Sequence, residues 1–138
     1  MLFIFDENYP RGFVDGFAVI DQSDKKNPIR SEIVHSTTFM GNIQGSTDED
    51  IIAKASKMNA VIVTQDSDFK RIKHYKTLLI EHKVGFIYFK TVKGKNSYWD
   101  IVRAFVGKWE EIKKAISESD HPFAFEINKN GQLNKLPF

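Results

Sequence analysis

Four short runs rich in apolar residues, each followed by polar residues, mark the first two thirds of the chain. They lie at residues 2–5, 32–35, 60–64 and 84–89. Short runs of branched and aromatic residues between turn residues are typical of strands that are buried on both faces, as in a parallel sheet. Segments with helical spacing of apolar residues separate them. This alternation predicts an α/β fold with a short, mainly parallel sheet.

The segments between these runs contain recognisable helix starts. Pro10 suits the first turn of a helix, because an N–H at that point would have no partner within the helix. Thr47 and Asp50 have the spacing of a capping box, in which each side chain accepts a hydrogen bond from the other residue's backbone. The predicted helices run from Pro10 to about residue 20, over 48–58 and over 69–83, and the predicted loops span 21–31 and 36–46.

The pattern changes after the fourth run. Apolar residues fall on one face of a single amphipathic helix over 97–118. Alternating residues at 123–127 and an Asn-Gly pair at 130–131 then predict a closing β-hairpin. We therefore divide the chain into an α/β core at 1–92 and an extension at 93–138, made of the C-terminal amphipathic helix and the β-hairpin and packed on the same domain.

The composition fits one globular domain. The chain has 138 residues, of which 28% are charged and 41% hydrophobic. The absence of cysteine excludes disulfides and thiolate metal sites and is compatible with a reducing cytoplasm. The first residues lack the basic region of a signal peptide, and no apolar run approaches the roughly 20 residues of a membrane helix. We therefore expect a cytoplasmic protein without a membrane segment.

Positive charge is concentrated at residues 70–95, directly after the third run. This segment contains eight Lys and Arg residues and a single acid, Glu81, although the whole chain has a net charge of only +2. A basic segment beside an acidic site suits a nuclease, since lysines bind phosphates while carboxylates bind metal. A solvated lysine face on a surface helix explains the same composition equally well.

Acidic residues follow or begin several of the predicted elements. Asp6 directly follows the first strand, Asp48 and Glu49 begin a helix, and Asp66 and Asp68 follow the third strand. Ligands bind at the carboxyl ends of strands in such sheets, and carboxylates crowded there repel one another. A hard cation such as Mg²⁺ or Mn²⁺ removes that repulsion and prefers oxygen ligands. Taken singly, helix-dipole stabilisation or a polar turn also accounts for the later acids.

The chain contains three motifs: Phe5-Asp6-Glu7-Asn8 with Pro10, Ser46-Thr47-Asp48-Glu49-Asp50 with Ile51-Ile52, and Val63-Thr64-Gln65-Asp66-Ser67-Asp68-Phe69. In this order and at this spacing, they resemble the compact PIN-like branch of the PIN nuclease superfamily. The resemblance covers roughly residues 1–90. It implies a three-layer α/β sandwich, an acidic pocket for Mg²⁺ or Mn²⁺, and single-stranded RNA as substrate. In the related toxins, a partner antitoxin blocks the pocket.

Carried over residue by residue, the resemblance implies a complete candidate site. Asp6, Asp48, Asp66 and Asp68 match the acidic positions of the family and are the expected catalytic residues. Glu49 replaces Asp48 as a ligand if Asp48 only caps the helix. The expected metal ligands are Asp6, Asp66, Asp68 and Glu49, and the expected substrate contacts are Lys70, Arg71, Lys73 and Asn8.

These features predict a metal-dependent endoribonuclease, the toxin of a toxin–antitoxin pair. The first alternative is a receiver-type signalling domain, in which Asp66 accepts a phosphoryl group and Lys90 follows the last strand, but it leaves Asp68 without a role. The second is a catalytically inactive PIN-like binding module. The extension lies outside the resemblance, and three uses stay open: a homodimer through the 97–118 helix, antitoxin docking, or a cover on the sheet.

Overall fold

The computed structural model describes residues 1–41, 47–65, 69–90 and 98–137, with residues 69–72 and 75 described by their backbone only. None of the described helices has the length and apolar character needed to cross a membrane. The strands are β1 (Leu2–Phe5), β2 (Glu32–His35), β3 (Val61–Thr64), β4 (Gly85–Phe89), β5 (Phe123–Ile127) and β6 (Leu133–Leu136). The helices are α1 (Arg11–Ser23), α2 (Ser36–Phe39), α3 (Asp48–Lys57), α4 (Phe69–His82), α5 (Tyr98–Val106) and α6 (Trp109–Ser117).

The strands form one mostly parallel sheet, which confirms the α/β prediction. Their order is β2-β1-β3-β4-β5-β6, and only β6 runs antiparallel to its neighbour. β1 to β5 therefore end at the same side of the sheet, which we call the carboxyl edge. The chain goes from β1 to β2 on one side and returns to β3 on the other. Such a reversal opens a crevice at the carboxyl edge, here between β1 and β3.

Alternate strand residues enter two hydrophobic clusters on opposite faces of the sheet. Phe3 and Phe5 belong to a cluster that includes residues of α1, α5 and α6, whereas Ile4 belongs to one that includes residues of α2, α3 and α4. Because both faces of β1 are covered, apolar residues are favoured at every position along it. This explains why the predicted strands appeared as continuous apolar runs.

The helix α2 occupies residues that were predicted to be a loop. It starts directly after β2, where the ring Nδ1 of His35 accepts a hydrogen bond of 3.2 Å from the backbone N–H of Thr37. Histidine is not among the preferred capping residues, so the sequence carried no start signal there. The predicted capping box of Thr47 and Asp50 is confirmed at the start of α3.

A buried ion pair lies beyond the predicted end of α1. The helix continues to Ser23, and the Oδ1 of Asp21 in its last turn lies 3.0 Å from the Nζ of Lys113 on α6. The same carboxylate accepts hydrogen bonds from Trp109 Nε1 at 2.8 Å and from Ser31 Oγ at 2.6 Å. These contacts hold α1 and α6 together on one face of the sheet.

The prediction of a single helix over 97–118 is wrong, because the chain forms two helices with a break at Gly107. Glycine is a poor helix former. A Cβ at this position would lie only 2.8 Å from the carbonyl oxygen of Arg103, so a larger residue does not fit without a shift. After the break, the Trp109 ring packs edge-on against Phe3 at a centroid distance of 4.7 Å.

The C-terminal hairpin is confirmed, and its first strand continues the main sheet. β5 pairs in parallel with β4, and β6 pairs antiparallel with β5. The turn contains Gly131 at φ +79°, a conformation that glycine adopts readily. α5 and α6 connect β4 to β5, and their apolar residues pack on the sheet. Of the three uses considered for the extension, a cover on the sheet describes this packing.

Candidate active site at the carboxyl edge

Asp6 is the first residue beyond β1 and points its carboxylate into an organised set of donors. Its backbone N–H still bonds to the carbonyl of Val63 on β3, at 2.9 Å. One carboxylate oxygen, Oδ1, accepts from the N–H of Asn8 at 3.0 Å, and the other, Oδ2, accepts from the hydroxyl of Thr64. The carboxylate is therefore oriented both by its own loop and by the end of β3. Thr64 was not predicted as a site residue, although a hydroxyl residue two positions before Asp66 was a signal for it.

Buried polar contacts beneath Asp6 hold its loop in place. The hydroxyl of Tyr9 donates to the carbonyl of Thr64 at 3.1 Å. His35 is buried, and its Nε2 lies 3.1 Å from the carbonyl oxygen of Tyr9. Since Nδ1 of the same ring accepts from Thr37, Nε2 carries the proton and donates. Residues at the ends of β2 and β3 thus fix the loop that carries Asp6.

Tyr9 stays neutral in this position. Burial raises the pKa of its hydroxyl well above the ordinary value, and the negative charge of Asp6 and interaction with Tyr88 act in the same direction. A neutral phenol can keep donating its proton to the Thr64 carbonyl. The contact is therefore maintained across the physiological pH range.

Asp6 and Asp48 line one small pocket. Asp48 begins α3, and the capping box of that helix is formed by Thr47 and Asp50, whose side chain accepts from the backbone N–H of Thr47 at 3.2 Å. Glu49 is exposed and does not line the pocket. The cavity has a volume of about 20 Å³. Its lining consists of Ile4, Asp6, Ser36, Asp48, Ile51, Ile52 and Ile62.

The remaining predicted acids, Asp66 and Asp68, lie outside the described residues. The chain before them ends β3 at the carboxyl edge, and the chain after them begins α4. Among residues 1–41, 47–65, 69–90 and 98–137, no group of three His, Asp or Glu side chains is placed to bind a metal ion. The described site thus contains two of the four predicted catalytic carboxylates, brought together from β1 and α3.

The structure describes the side chains of two of the four predicted substrate contacts. Asn8 is exposed, and its carbonyl accepts from Gln65 Nε2 at 2.6 Å, so it also braces the Asp6 loop. Lys73 is exposed on α4. The side chains of Lys70 and Arg71 lie outside the described residues.

Arg11 is a cation that the sequence analysis missed. It begins α1 at the carboxyl edge, is exposed, and donates from Nη2 to the Oγ1 of Thr38 on α2 at 2.7 Å. The concentration of positive charge at 70–95 is a strong compositional signal, whereas a single arginine gives none. Its position next to Pro10, at a helix start beside the acidic loop, was the available clue.

Comparison with known proteins gives one finding. A family model described as a PIN like domain matches residues 1–91. A search of curated proteins returned no match, and neither did a search of solved structures. The matched segment runs from β1 through β4 and contains Asp6, Asp48 and Thr64, and it is more than half of the chain. The chain therefore belongs to the PIN-like domain family.

Proposed function

We propose that this protein is a metal-dependent endoribonuclease that cleaves phosphodiesters in single-stranded RNA, built on a three-layer PIN-like sandwich. The observation that carries the proposal is the meeting of Asp6 and Asp48 in one pocket at the carboxyl edge. This pocket adjoins the crevice between β1 and β3, where ligands bind in sheets of this topology. A PIN-like domain also suggests a nuclease-type fold.

The donor set of the pocket suits Mg²⁺ or Mn²⁺. The polar side chains that line it are Asp6, Asp48 and Ser36, which offer only oxygen atoms, the ligands that these ions prefer. A cavity of about 20 Å³ is large enough for one water-sized species. The further ligands that we propose are Asp66 and Asp68, with Glu49 as the substitute for Asp48.

The metal ion and the residues around Asp6 would have different roles in the reaction. A bound divalent ion lowers the pKa of a water molecule and neutralises charge on the phosphate. Thr64 and Asn8 hold the Asp6 carboxylate in one orientation, so that it needs little reorganisation during the reaction. Tyr9 and His35 keep the surrounding loop rigid beneath it.

Cations around the site would bind the RNA backbone. Arg11 and Lys73 are exposed, and Lys70 and Arg71 lie between the pocket motif and Lys73 in the sequence. Contacts of lysine and arginine with phosphates release counterions, so binding should weaken steeply as salt is added. An affinity for RNA that hardly changes with salt concentration is incompatible with this role.

We also propose that the protein is the toxin of a toxin–antitoxin pair. A basic side chain of an antitoxin would be attracted to the carboxylates of Asp6 and Asp48. A homodimer through residues 97–118 is a separate proposal. The exposed large hydrophobic residues at 98–118 are Tyr98, Trp99 and Val106, whereas Trp109 is buried.

The test is cleavage of single-stranded RNA with Mn²⁺ or Mg²⁺, with EDTA as the control for metal. Asp6→Asn and Asp66→Asn should abolish cleavage. Asp15→Asn makes the same chemical change at an exposed position on α1 and should leave the rate unchanged. Cleavage that persists in EDTA, or that is equal in all three variants, would overturn the proposal.

A receiver-type phospho-acceptor domain is the second candidate, because one observation favours it. The order β2-β1-β3-β4-β5 is that of flavodoxin-like sheets, to which receiver domains belong. Lys90 follows β4, as a receiver domain requires, and its Nζ lies 3.7 Å from the Oε1 of Glu126. Labelling of Asp66 by acetyl phosphate would support this candidate. A folded protein that binds no Mn²⁺ in calorimetry, and is not labelled, would instead be an inactive binding module.

A further inference from the structure

Two adjacent aromatic side chains are exposed at the start of α5. Tyr98 is 44% exposed and Trp99 is 62% exposed, and their rings meet edge to face at a centroid distance of 5.4 Å. The other tryptophan, Trp109, is only 7% exposed. Packing within the fold therefore accounts for Trp109 but leaves most of the Trp99 surface without a role.

The aromatic pair lies toward the carboxyl edge of the sheet. The connection between the parallel strands β4 and β5 must return from the carboxyl edge to the opposite side. Phe105, near the end of α5, contacts Phe5 at the last position of β1, with ring centroids 5.3 Å apart. Tyr98 precedes Phe105 by seven residues, and a helix of that length rises about 10 Å. Because the chain moves from Phe5 at Phe105 to Phe3 at Trp109, nearer the start of β1, the start of α5 lies toward the carboxyl edge, where Asp6 also lies.

Ring contacts connect this pair to Phe5, the residue before Asp6. Phe5, which precedes Asp6, contacts Phe13 at 6.2 Å, and Phe13 contacts Tyr98 at 6.3 Å. Arg11 lies two residues before Phe13 and is exposed. The rings thus lie on the face of the sheet that is covered by α1 and α5, and the carboxylate pocket lies on the face covered by α2 and α3. A strand that crosses the carboxyl edge would meet both.

We propose that Tyr98 and Trp99 form a platform on which bases of single-stranded RNA stack, across the carboxyl edge from the carboxylate pocket. The inference rests on the proposed function and names how its substrate is held. Exposed aromatic faces bind unpaired bases of any sequence, while nearby cations follow the phosphates. Bases in a duplex are stacked on each other and present no free face, so the platform selects single strands. The pair lies outside the segment matched by the family model and belongs to the C-terminal extension.

Binding by the full-length protein tests the platform. The probe is a single-stranded phosphorothioate oligouridine, whose linkages resist hydrolysis, measured in Mn²⁺ by fluorescence anisotropy. Trp99→Leu keeps an apolar side chain but cannot stack, and it should weaken binding about tenfold, within the range for loss of one stacked base. Trp99→Phe should keep most of the affinity. Val19→Ala, at another exposed apolar position, is the matched control.

Two further measurements separate stacking from charge. Inorganic polyphosphate carries phosphates without bases, so Trp99→Leu should bind it as well as wild type does. The oligouridine should quench tryptophan emission in wild type. In Trp99→Phe, only the buried Trp109 still emits, so most of this quenching should disappear although the RNA remains bound. Because this variant keeps an aromatic ring, the quenching measurement remains valid even if the leucine variant folds poorly.

The outcomes distinguish this inference from the proposed function. Equal RNA affinity of wild type and a folded Trp99→Leu variant overturns the platform, while metal-dependent cleavage by both leaves the nuclease proposal standing. A dimer that Trp99→Leu converts to a monomer, with no change in RNA affinity per chain, assigns the pair to a protein interface instead. If wild type binds no RNA in Mn²⁺, the platform and the nuclease fall together.

Discussion

The hydroxyl of Tyr9 and the carbonyl oxygen of Thr64 form a buried hydrogen bond of 3.1 Å between residues 55 positions apart in the chain. It joins the loop after β1 to the end of β3, on the two sides of the proposed crevice. Thr64 also bonds to Asp6 through its hydroxyl, so the same residue receives a hydrogen bond from Tyr9 and donates one to the candidate catalytic carboxylate.

Tyr9→Phe should destabilise the protein without changing its fold. The substitution removes the donor and leaves the Thr64 carbonyl with one partner fewer in a buried place, which costs about 1–3 kcal/mol. Thermal unfolding followed by circular dichroism measures the effect. Tyr98→Phe removes a hydroxyl from an exposed side chain and should lower the melting temperature much less. Equal melting temperatures for Tyr9→Phe and wild type would show that the contact does not contribute to stability.

The stability of the wild type should fall when the pH rises above about 10, the ordinary pKa of tyrosine. Burial raises the pKa of Tyr9 in the folded chain, so the unfolded chain loses this proton first and ionisation favours unfolding. The contribution is fully present below pH 10 and decreases as the pH rises toward the folded pKa. Urea unfolding at pH 9 and at higher pH should show a smaller decline in Tyr9→Phe than in wild type. Parallel declines in the two proteins would exclude Tyr9 as the cause.

Thr64→Val should weaken metal binding more than it weakens the fold. Valine has nearly the same shape and suits a strand, but it cannot donate to Asp6. Loss of a hydrogen bond that orients a metal ligand typically reduces metal affinity about 10–100-fold. Calorimetric titration with Mn²⁺ measures the change, and Thr77→Val, on the exposed side of α4, is the matched control. Unchanged Mn²⁺ affinity in Thr64→Val would remove Asp6 from the proposed ligand set or show that the hydroxyl does not orient it.

Lys113→Met should destabilise the protein by about 3–5 kcal/mol, because it leaves the buried carboxylate of Asp21 without its countercharge. Lys114→Met changes an exposed neighbour and should have little effect. The double substitution Asp21→Leu with Lys113→Met should recover part of the loss, since no unpaired charge remains. Chemical denaturation measures the free energy of unfolding of the three variants. If the double variant is less stable than Lys113→Met alone, the hydrogen bonds from Trp109 and Ser31 to Asp21 matter more than the charge.

The sequence was most informative where structure depends on neighbouring residues. The apolar runs placed β1 to β4, and the spacing of Thr47 and Asp50 placed the start of α3. Contacts between distant residues could not be predicted in the same way. The ion pair between Asp21 and Lys113 joins residues that are 92 positions apart, and no local sequence pattern predicts it.

Similar limits apply to the candidate site. The meeting of Asp6 and Asp48 followed from the rule that, in a parallel sheet, strands end and the helices leading to the next strand begin at the same edge. The hydrogen bond from Thr64 and the position of Arg11 depend on side-chain geometry, which residue spacing does not determine. The break at Gly107 was visible only as a glycine in an otherwise amphipathic pattern, and that pattern alone favoured a continuous helix.

The pairing of β5 with β4 has a consequence for how the chain can be divided. Without β5, the strand Gly85–Phe89 would expose a row of unpaired backbone groups on five residues that are all buried in the intact protein. Such a flat, apolar edge strand invites pairing with another molecule and aggregation. The segment matched by the family model ends at residue 91, whereas the continuous sheet includes β5 and β6 beyond it. A fragment cut at the end of the matched segment would therefore leave the β4 edge without its partner strand.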